Sequence, residues 1–227
     1  MNDKEIHYFG HRQRLRERFL HMEGDSLPDY ELLELLLFSA KPRGDVKPLA
    51  KRLLKHFGSF DKVIYAEESA LRDVEEVGDA VVAALKSIRI SAQRLLKSEM
   101  RQRPIIQSWS ALIDYCRLSM GRNSIEEFRV LFLNNKHILI ADEVMQRGTV
   151  NHTPIYPREI IKRALEHAAS SIILVHNHPS GDPSPSKADI EMTKKIVDAA
   201  ATINIAVHDH VIISEQGHYS FKSFGLL

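Results

Sequence analysis

The first hundred residues carry apolar side chains at helical spacing. Leu32, Leu33, Leu36 and Leu37 recur in the i, i+1, i+4, i+5 pattern of a buried helical stripe. The pattern predicts further helices over 46–57, 59–66, 69–74 and 80–97. It predicts no alternating strand before Arg101. This part of the chain is therefore expected to be a small all-α domain.

The pattern of apolar and polar residues changes around residues 101–110. The polar run 101–103 ends at the helix breaker Pro104, so we predict a domain boundary there, with domains over 1–103 and 104–227. In the second part, strands are predicted over 128–133, 137–144, 171–175 and 203–213, and helices over 110–120, 157–169 and 187–201. Alternating helices and strands predict an α/β domain with a mixed sheet.

Composition places the chain among globular proteins. Hydrophobic residues make up 44% and charged residues 27%, with 31 Lys+Arg against 30 Asp+Glu. The longest apolar stretch, 32–38, is interrupted by Glu34 and is far shorter than the roughly 20 residues of a membrane span. The polar start of the chain has no secretion signal, so we expect a cytoplasmic location and no membrane partner. The single cysteine, Cys116, excludes an internal disulfide and leaves His and carboxylates as metal ligands.

The candidate chemistry lies directly after the predicted strand 171–175. In extended backbone, His176 and His178 point to the same side and can offer two imidazole nitrogens to one metal ion. A Gly- and Pro-rich loop then turns the chain, so that Asp189 can return to supply an oxygen ligand. Two His and one carboxylate leave a fourth tetrahedral position for water, the arrangement of a catalytic zinc site. Bound zinc would bring the pKa of that water towards about 7.

The same residues have a purely structural interpretation. Ser186 and Asp189 are spaced as a helix capping box, in which each side chain bonds the backbone of the other. His-x-His at a strand end is also common without any metal. The combination of a buried strand, two His, a rigid turn and a returning acid favours the metal site.

His-x-His, seven residues, Ser, two residues and Asp is the JAMM (MPN-plus) metalloprotease motif, matched by His176, His178, Ser186 and Asp189. The longer run 176–186 and its surroundings resemble the RadC family over nearly the whole chain. The residues that carry this wider resemblance are Tyr156-Pro157-Arg158-Glu159, Arg163-Ala164-Leu165, Leu32 to Leu37, Pro42 and His56-Phe57-Gly58-Ser59. The resemblance implies a JAMM/MPN, cytidine-deaminase-like fold and a Zn²⁺-dependent hydrolase whose substrate is a peptide or protein of undefined identity.

The resemblance also implies a glutamate outside the motif as general base. The candidates are Glu127, Glu126 and Glu143, and we favour Glu127 because it directly precedes the first predicted strand. The alternative is that Glu126 and Glu127 form a solvated pair. Ser186 would by the same resemblance stabilise the oxyanion, with helix capping as its other possible role.

The other histidines are weaker candidates for metal binding. His208-Asp209-His210 repeats His-x-His but lacks a returning acid, so we expect structural roles or contacts behind the metal ligands. His152 and His167 are expected at the surface. The contiguous His-Asn-His only superficially resembles HNH endonucleases, which draw their residues from separated positions.

Residues 71–85 resemble a helix-hairpin-helix, a motif in which backbone N–H groups approach a phosphate. The sequence keeps Gly78 but has Glu76 where the first glycine is expected, and this carboxylate repels phosphate. A better electrostatic candidate is the set Arg12, Arg14, Arg16 and Arg18. The resemblance to the RadC family also implies a link with DNA repair, so DNA association through the helical domain, with a structural metal, is the second functional hypothesis. Metal-dependent nuclease activity is the third.

Overall fold

The computed structural model describes residues 3–21, 27–148 and 155–227. The chain divides into two compact units, Met1–Ser91 and Ala92–Leu227. The predicted boundary after residue 103 lies shortly beyond this division, and it stays a prediction. Among the described residues, no helix has both the length and the apolar character that crossing a membrane requires.

The first unit is built from helices. Its elements are α1 (Asp3–His21), α2 (Asp29–Ala40), α3 (Lys47–Phe57), α4 (Phe60–Tyr65), α5 (Glu68–Arg72) and the first part of α6 (Asp79–Met100). Leu33 and Leu37 of the predicted stripe are fully buried and pack with Leu49 and Leu53 of α3. The helix α3 begins with a proline in its first turn and ends at Gly58, whose φ of 94° suits glycine. The all-α prediction for this region is confirmed.

The second unit is a five-stranded mixed sheet covered by helices on both faces. Its elements are α7 (Trp109–Met120), β1 (Glu127–Leu133), β2 (Leu139–Arg147), α8 (Pro157–Glu166), β3 (Ser171–Asn177), α9 (Lys187–Ala201), β4 (Ala206–Ile213) and β5 (His218–Ser220). The strand order is β2-β1-β3-β4-β5. Only the central pair β3 and β4 is parallel, and the other neighbours are antiparallel. The predicted α/β class with a mixed sheet is confirmed.

Strand β3 separates two cores because its side chains alternate between the faces of the sheet. Ile173 and Val175 pack on the α7 side, where Cys116 is also buried. Ile172 and Leu174 pack on the α8 and α9 side. All seven residues of β3 are buried, which confirms the prediction of a strand covered on both faces. The Cys116 thiol is a packed side chain whose pKa is raised to about 12 by burial.

Three predicted element ends differ from the observed ones for a common reason. His137, Ala168 and Asn204 adopt positive φ angles of 56°, 50° and 58°. Left-handed backbone interrupts both helices and strands; Asn and His adopt it more often than other non-glycine residues, whereas Ala gives little warning of it. Strand β2 therefore begins at Leu139, α8 ends at Glu166, and β4 begins at Ala206. The short strand β5 was not predicted.

Candidate metal centre

The end of β3 presents the first of the expected ligands. His176 follows the alternation of the strand onto the α8 and α9 side, where its ring stacks against Phe128 of β1 with centroids 6.1 Å apart. Its exposed fraction is 1%. His178 lies just past the strand, where its backbone N–H donates to the Ile213 carbonyl at 2.9 Å, and its ring is half-buried.

The chain returns to this position through the loop 179–185 and the start of α9. The Ser186 hydroxyl accepts a hydrogen bond from the Asp189 N–H at 3.2 Å, and the Asp189 carboxylate accepts one from the Ser186 N–H at 2.8 Å. The capping box is therefore present. The Ser186 hydroxyl also donates to Asp189 Oδ2 at 2.6 Å. Capping orients the acid so that Oδ1 faces His176, while the capped Oδ2 lies near His178.

The three expected ligands converge. His176 Nε2 lies 2.9 Å from His178 Nε2 and 3.4 Å from Asp189 Oδ1. His178 Nε2 lies 3.5 Å from Asp189 Oδ2. The three ligand atoms lie within 4.8 Å of one another, a grouping that could hold a metal ion. One carboxylate and two ring nitrogens on three anchored side chains fit the ligand set of a divalent transition metal.

Hydrogen bonding on the far side of the His178 ring supports this fit. His178 Nδ1 lies 2.9 Å from the Asp182 carbonyl oxygen. Because a carbonyl oxygen carries no proton, Nδ1 must donate, which leaves Nε2 as the ring nitrogen that can bind a metal.

The electrostatics of the cluster suit cation binding. Burial lowers the pKa of His176 to about 4, so its ring is neutral near pH 7. Although burial alone would raise its pKa, the hydrogen bond from His178 and the neighbouring His176 and Ser186 hold the pKa of Asp189 well below its usual value. The hydrogen bond to Asp189 raises the pKa of His178, so a metal must displace a proton from this ring when it binds. A neutral imidazole and an ionised carboxylate are the forms that coordinate metals.

The preferred general base, Glu127, does not join the cluster. Its carboxylate is 4% exposed and accepts hydrogen bonds from Arg129 at 2.8 Å and from Arg147 at 3.0 Å. Because the next residue, Phe128, faces His176, alternation along β1 places Glu127 on the opposite, α7 face of the sheet. The geometry thus gives Glu127 a role within a buried ion-pair network.

The second candidate, Glu143, is also engaged elsewhere. Its carboxylate pairs with Arg163 of α8 and accepts a hydrogen bond from His167 at 2.7 Å. The Arg163 hydrogen bond, with His167, lowers the pKa of Glu143 to about 2. The His167 side chain is 26% exposed, so it reaches the surface as expected, but its ring also packs against Phe132, at 4.9 Å between centroids. His152 lies outside the described residues.

The remaining candidate, Glu126, lies on the side of the cluster. It precedes Glu127 by one residue, so alternation places it on the face that carries Phe128 and His176. Its carboxylate also contributes to the raised pKa of His178, after the larger effect of Asp189. Its backbone carbonyl accepts from Gly148 N–H at 2.9 Å, which continues the pairing of β1 with β2.

Asn177, between the two His ligands, was not singled out by the sequence. Its side chain is fully buried and points away from the cluster. Its Oδ1 accepts from Glu127 N–H at 2.7 Å, and its Nδ2 donates to the carbonyls of Ile125 at 3.2 Å and Asn123 at 3.3 Å. Asn177 therefore ties the segment that carries Glu126 to the strand that carries the ligands. A polar residue at an inward position of a buried strand was the available signal.

The three residues 208–210 make contacts with different parts of the domain. His210 Nε2 lies 2.8 Å from His176 Nδ1, behind the ligand, as expected. Asp209 accepts from the Ser220 hydroxyl at 2.5 Å and from Lys222 N–H at 3.0 Å. The pairing of β3 with β4 shifts register at His208, whose ring instead meets His137 at 5.5 Å. A bulge thus separates the two histidines that the spacing placed together.

The arginines of α1 are less available than the sequence suggested. Arg12 is 6% exposed and donates to the carbonyls of Lys41, Pro42 and Gly44 at 2.7–2.9 Å. Arg18 pairs with Glu31. Arg14 and Arg16 are exposed.

In the hairpin before α6, the charge of Glu76 is balanced by two basic side chains of the same helical unit. Glu76 adopts a φ of 69°, the left-handed conformation for which glycine is preferred. Its carboxylate accepts hydrogen bonds from Lys41 at 2.5 Å and from Arg52. These two bonds lower the pKa of Glu76. The position where a helix-hairpin-helix would have its first glycine therefore carries an ionised carboxylate.

Fold and site together define an α/β domain with a candidate mononuclear metal centre at the carboxyl end of its central strand. Residues 106–226 match the family described as "RadC-like JAB domain". A relative from Rhodobacter capsulatus described as "UPF0758 protein" is 56% identical over 213 residues, which cover 94% of this chain and all of that relative. The chain belongs to the RadC family, and the resemblance noted from its motifs is confirmed.

Proposed function

We propose that this chain is a zinc-dependent hydrolase of peptide or isopeptide bonds, with a peptide or protein as substrate. The observation that carries the proposal is that His178 Nε2 and Asp189 Oδ1 lie 2.9 Å and 3.4 Å from His176 Nε2. These three side chains would hold the metal and leave one tetrahedral position for a reactant. When bound, zinc polarises a scissile carbonyl and provides hydroxide at neutral pH.

Glu126 is the general base that the geometry favours over Glu127. In this role its carboxylate takes a proton from the attacking water and returns it to the leaving amine nitrogen. Glu127 would first have to leave Arg129 and Arg147 and cross the sheet. Ser186 could donate to an oxyanion only by releasing Asp189 Oδ2, so we assign it mainly to the orientation of Asp189.

A peptide mixture in H₂¹⁸O tests the proposal. Zinc-loaded protein should generate new C-termini that carry ¹⁸O, detected by mass spectrometry, and Asp189→Asn should abolish them together with zinc retention. Glu126→Gln should retain zinc but lose at least about 100-fold in rate, the usual size of a general-base effect. Glu127→Gln is the matched control and should cleave at a near-normal rate per folded molecule.

Two results would count against this assignment. Equal ¹⁸O incorporation by the wild type and Asp189→Asn would remove the metal site from the chemistry. Loss of cleavage in Glu127→Gln, with Glu126→Gln still active, would instead identify Glu127 as the general base, as the sequence first suggested.

The DNA hypothesis has weaker support. Arg12 and Arg18 already have partners, and Glu76 places a carboxylate in the hairpin. If Arg14 and Arg16 bind phosphates, their replacement by Gln should lower the salt dependence of DNA binding by up to about two units of slope. Incubating branched DNA with the zinc-loaded protein tests the nuclease alternative.

A further inference from the structure

We infer that Thr193 and His210 fix the tautomer of His176, so that its Nε2 lone pair faces the metal position. This inference rests on the metal site of the proposed function. Both residues lie outside the ligand set, and both are buried, with exposed fractions of 2% for Thr193 and 0% for His210.

The first proton belongs to the Thr193 hydroxyl. Thr193 Oγ1 lies 2.6 Å from the carbonyl oxygen of Asp189, one turn earlier on α9. A carbonyl oxygen carries no proton, so the hydroxyl must donate. Thr193 Oγ1 also lies 2.6 Å from His210 Nδ1. Because its single proton is already used, the hydroxyl can only accept here, and His210 Nδ1 carries the hydrogen.

The second proton lies between the two imidazoles. The His210 ring stacks on Phe221, with centroids 4.5 Å apart, and meets Phe128 edge-on. A second proton, and hence a positive charge, would be costly in these apolar surroundings. The His210 ring is therefore neutral, with its lone pair on Nε2, 2.8 Å from His176 Nδ1. His176 must donate from Nδ1, which leaves a lone pair on its Nε2.

Two different acceptors thus hold the Nδ1 protons of the two ligands. His178 donates from Nδ1 directly to the Asp182 carbonyl, whereas His176 uses the relay through His210 and Thr193. The relay begins at the carbonyl of Asp189, the residue whose carboxylate is the third ligand. The same hydrogen bonds therefore connect β3, β4 and α9 next to the metal position. Hydrogen-bond partners of metal-bound histidines commonly orient the ligands in this way.

The test uses Thr193→Val, which keeps the shape of the side chain and removes the hydroxyl. Thr193→Ser retains the hydroxyl and should behave like the wild type. Thr202→Val is the matched control, because the Thr202 hydroxyl also donates to a backbone carbonyl, at 2.7 Å from Ala199 O, but is exposed. Zinc affinity, measured by competition with a chromophoric chelator, should fall about 10- to 100-fold in Thr193→Val. It should be unchanged in Thr193→Ser and Thr202→Val.

A second readout needs no zinc. Long-range ¹H–¹⁵N correlation spectra of metal-free wild type, with signals assigned by single His→Gln variants, should show Nδ1–H on His176 and on His210. An Nε2–H tautomer of His176, or wild-type zinc affinity in Thr193→Val, would overturn the inference. Absence of peptide cleavage together with both expected results would instead remove the proposed function and leave the relay standing.

Discussion

Replacing Asp142 by asparagine is expected to destabilise the unit 92–227 by about 3–5 kcal/mol, the cost of breaking a buried ion pair by removing one partner. Asp142 lies on β2, and its side chain is 1% exposed. Arg129 Nη1 lies 2.7 Å from Asp142 Oδ1 and 2.9 Å from Oδ2. Lys97 contributes a further bond at 2.7 Å, and the Tyr115 hydroxyl also donates to this carboxylate.

The magnitude follows from these distances. At 2.7 Å and an effective dielectric constant of about 20, the attraction between Arg129 and Asp142 is about 6 kcal/mol. Desolvation offsets part of this attraction, but the Arg129 guanidinium cannot escape its cost by losing its proton. Although burial alone would lower it, Asp142 and Tyr115 hold the pKa of Arg129 above its usual value. Among the described residues, Glu127 then remains as an anionic contact of the buried Arg129 cation.

Urea unfolding followed by tryptophan fluorescence is the appropriate assay. The chain has one tryptophan, Trp109, which packs against the α7-side core of this unit. Its emission therefore reports on the unit that holds the pair. A double-mutant cycle with Arg129→Met isolates the interaction, and we expect a coupling free energy of about 2 kcal/mol or more.

The exposed pair Lys162 and Glu166 provides the control. Its atoms are 4.0 Å apart, with side chains 66% and 43% exposed, so the same cycle should give a coupling below about 0.5 kcal/mol. If Asp142→Asn and Arg129→Met were additive to within the coupling of this control, the pair would contribute no net stability and the reasoning would be refuted.

Three further predictions concern the metal centre. Because burial lowers the pKa of His176 to about 4 while the unfolded chain protonates near 6.5, metal-free protein should keep the stability from this group above about pH 6.5. It should lose up to about 3 kcal/mol as the pH falls from about 6.5 to about 4, and His176→Gln should flatten the plot of Tm against pH. Asn177→Ala removes three hydrogen bonds at a buried position and should cost about 2–4 kcal/mol in urea unfolding; a loss below about 1 kcal/mol would contradict its anchoring role. Ser186→Ala removes the cap of α9 and should cost about 1 kcal/mol, whereas Ser186→Thr, which retains a capping hydroxyl, should cost less in the same assay.

The sequence by itself determined the features that depend on neighbours along the chain. The stripe at Leu33 and Leu37 specified a buried helix because helical periodicity is local. The β-branched run before His176 specified a strand covered on both faces. Strand alternation and the returning loop brought His176, His178 and Asp189 together, since all three lie within a short stretch of sequence.

Only the tertiary structure decided which distant groups meet these residues. The pairing of Phe128 with His176 sets the face of each residue on β1, so a shift of one position exchanges Glu126 and Glu127 between the ligand side and the buried network. His210 reached His176, and Arg129 reached Asp142, by the same non-local pairing of strands. Periodicity states which residues share a face, but the register between strands depends on the packing of the whole sheet.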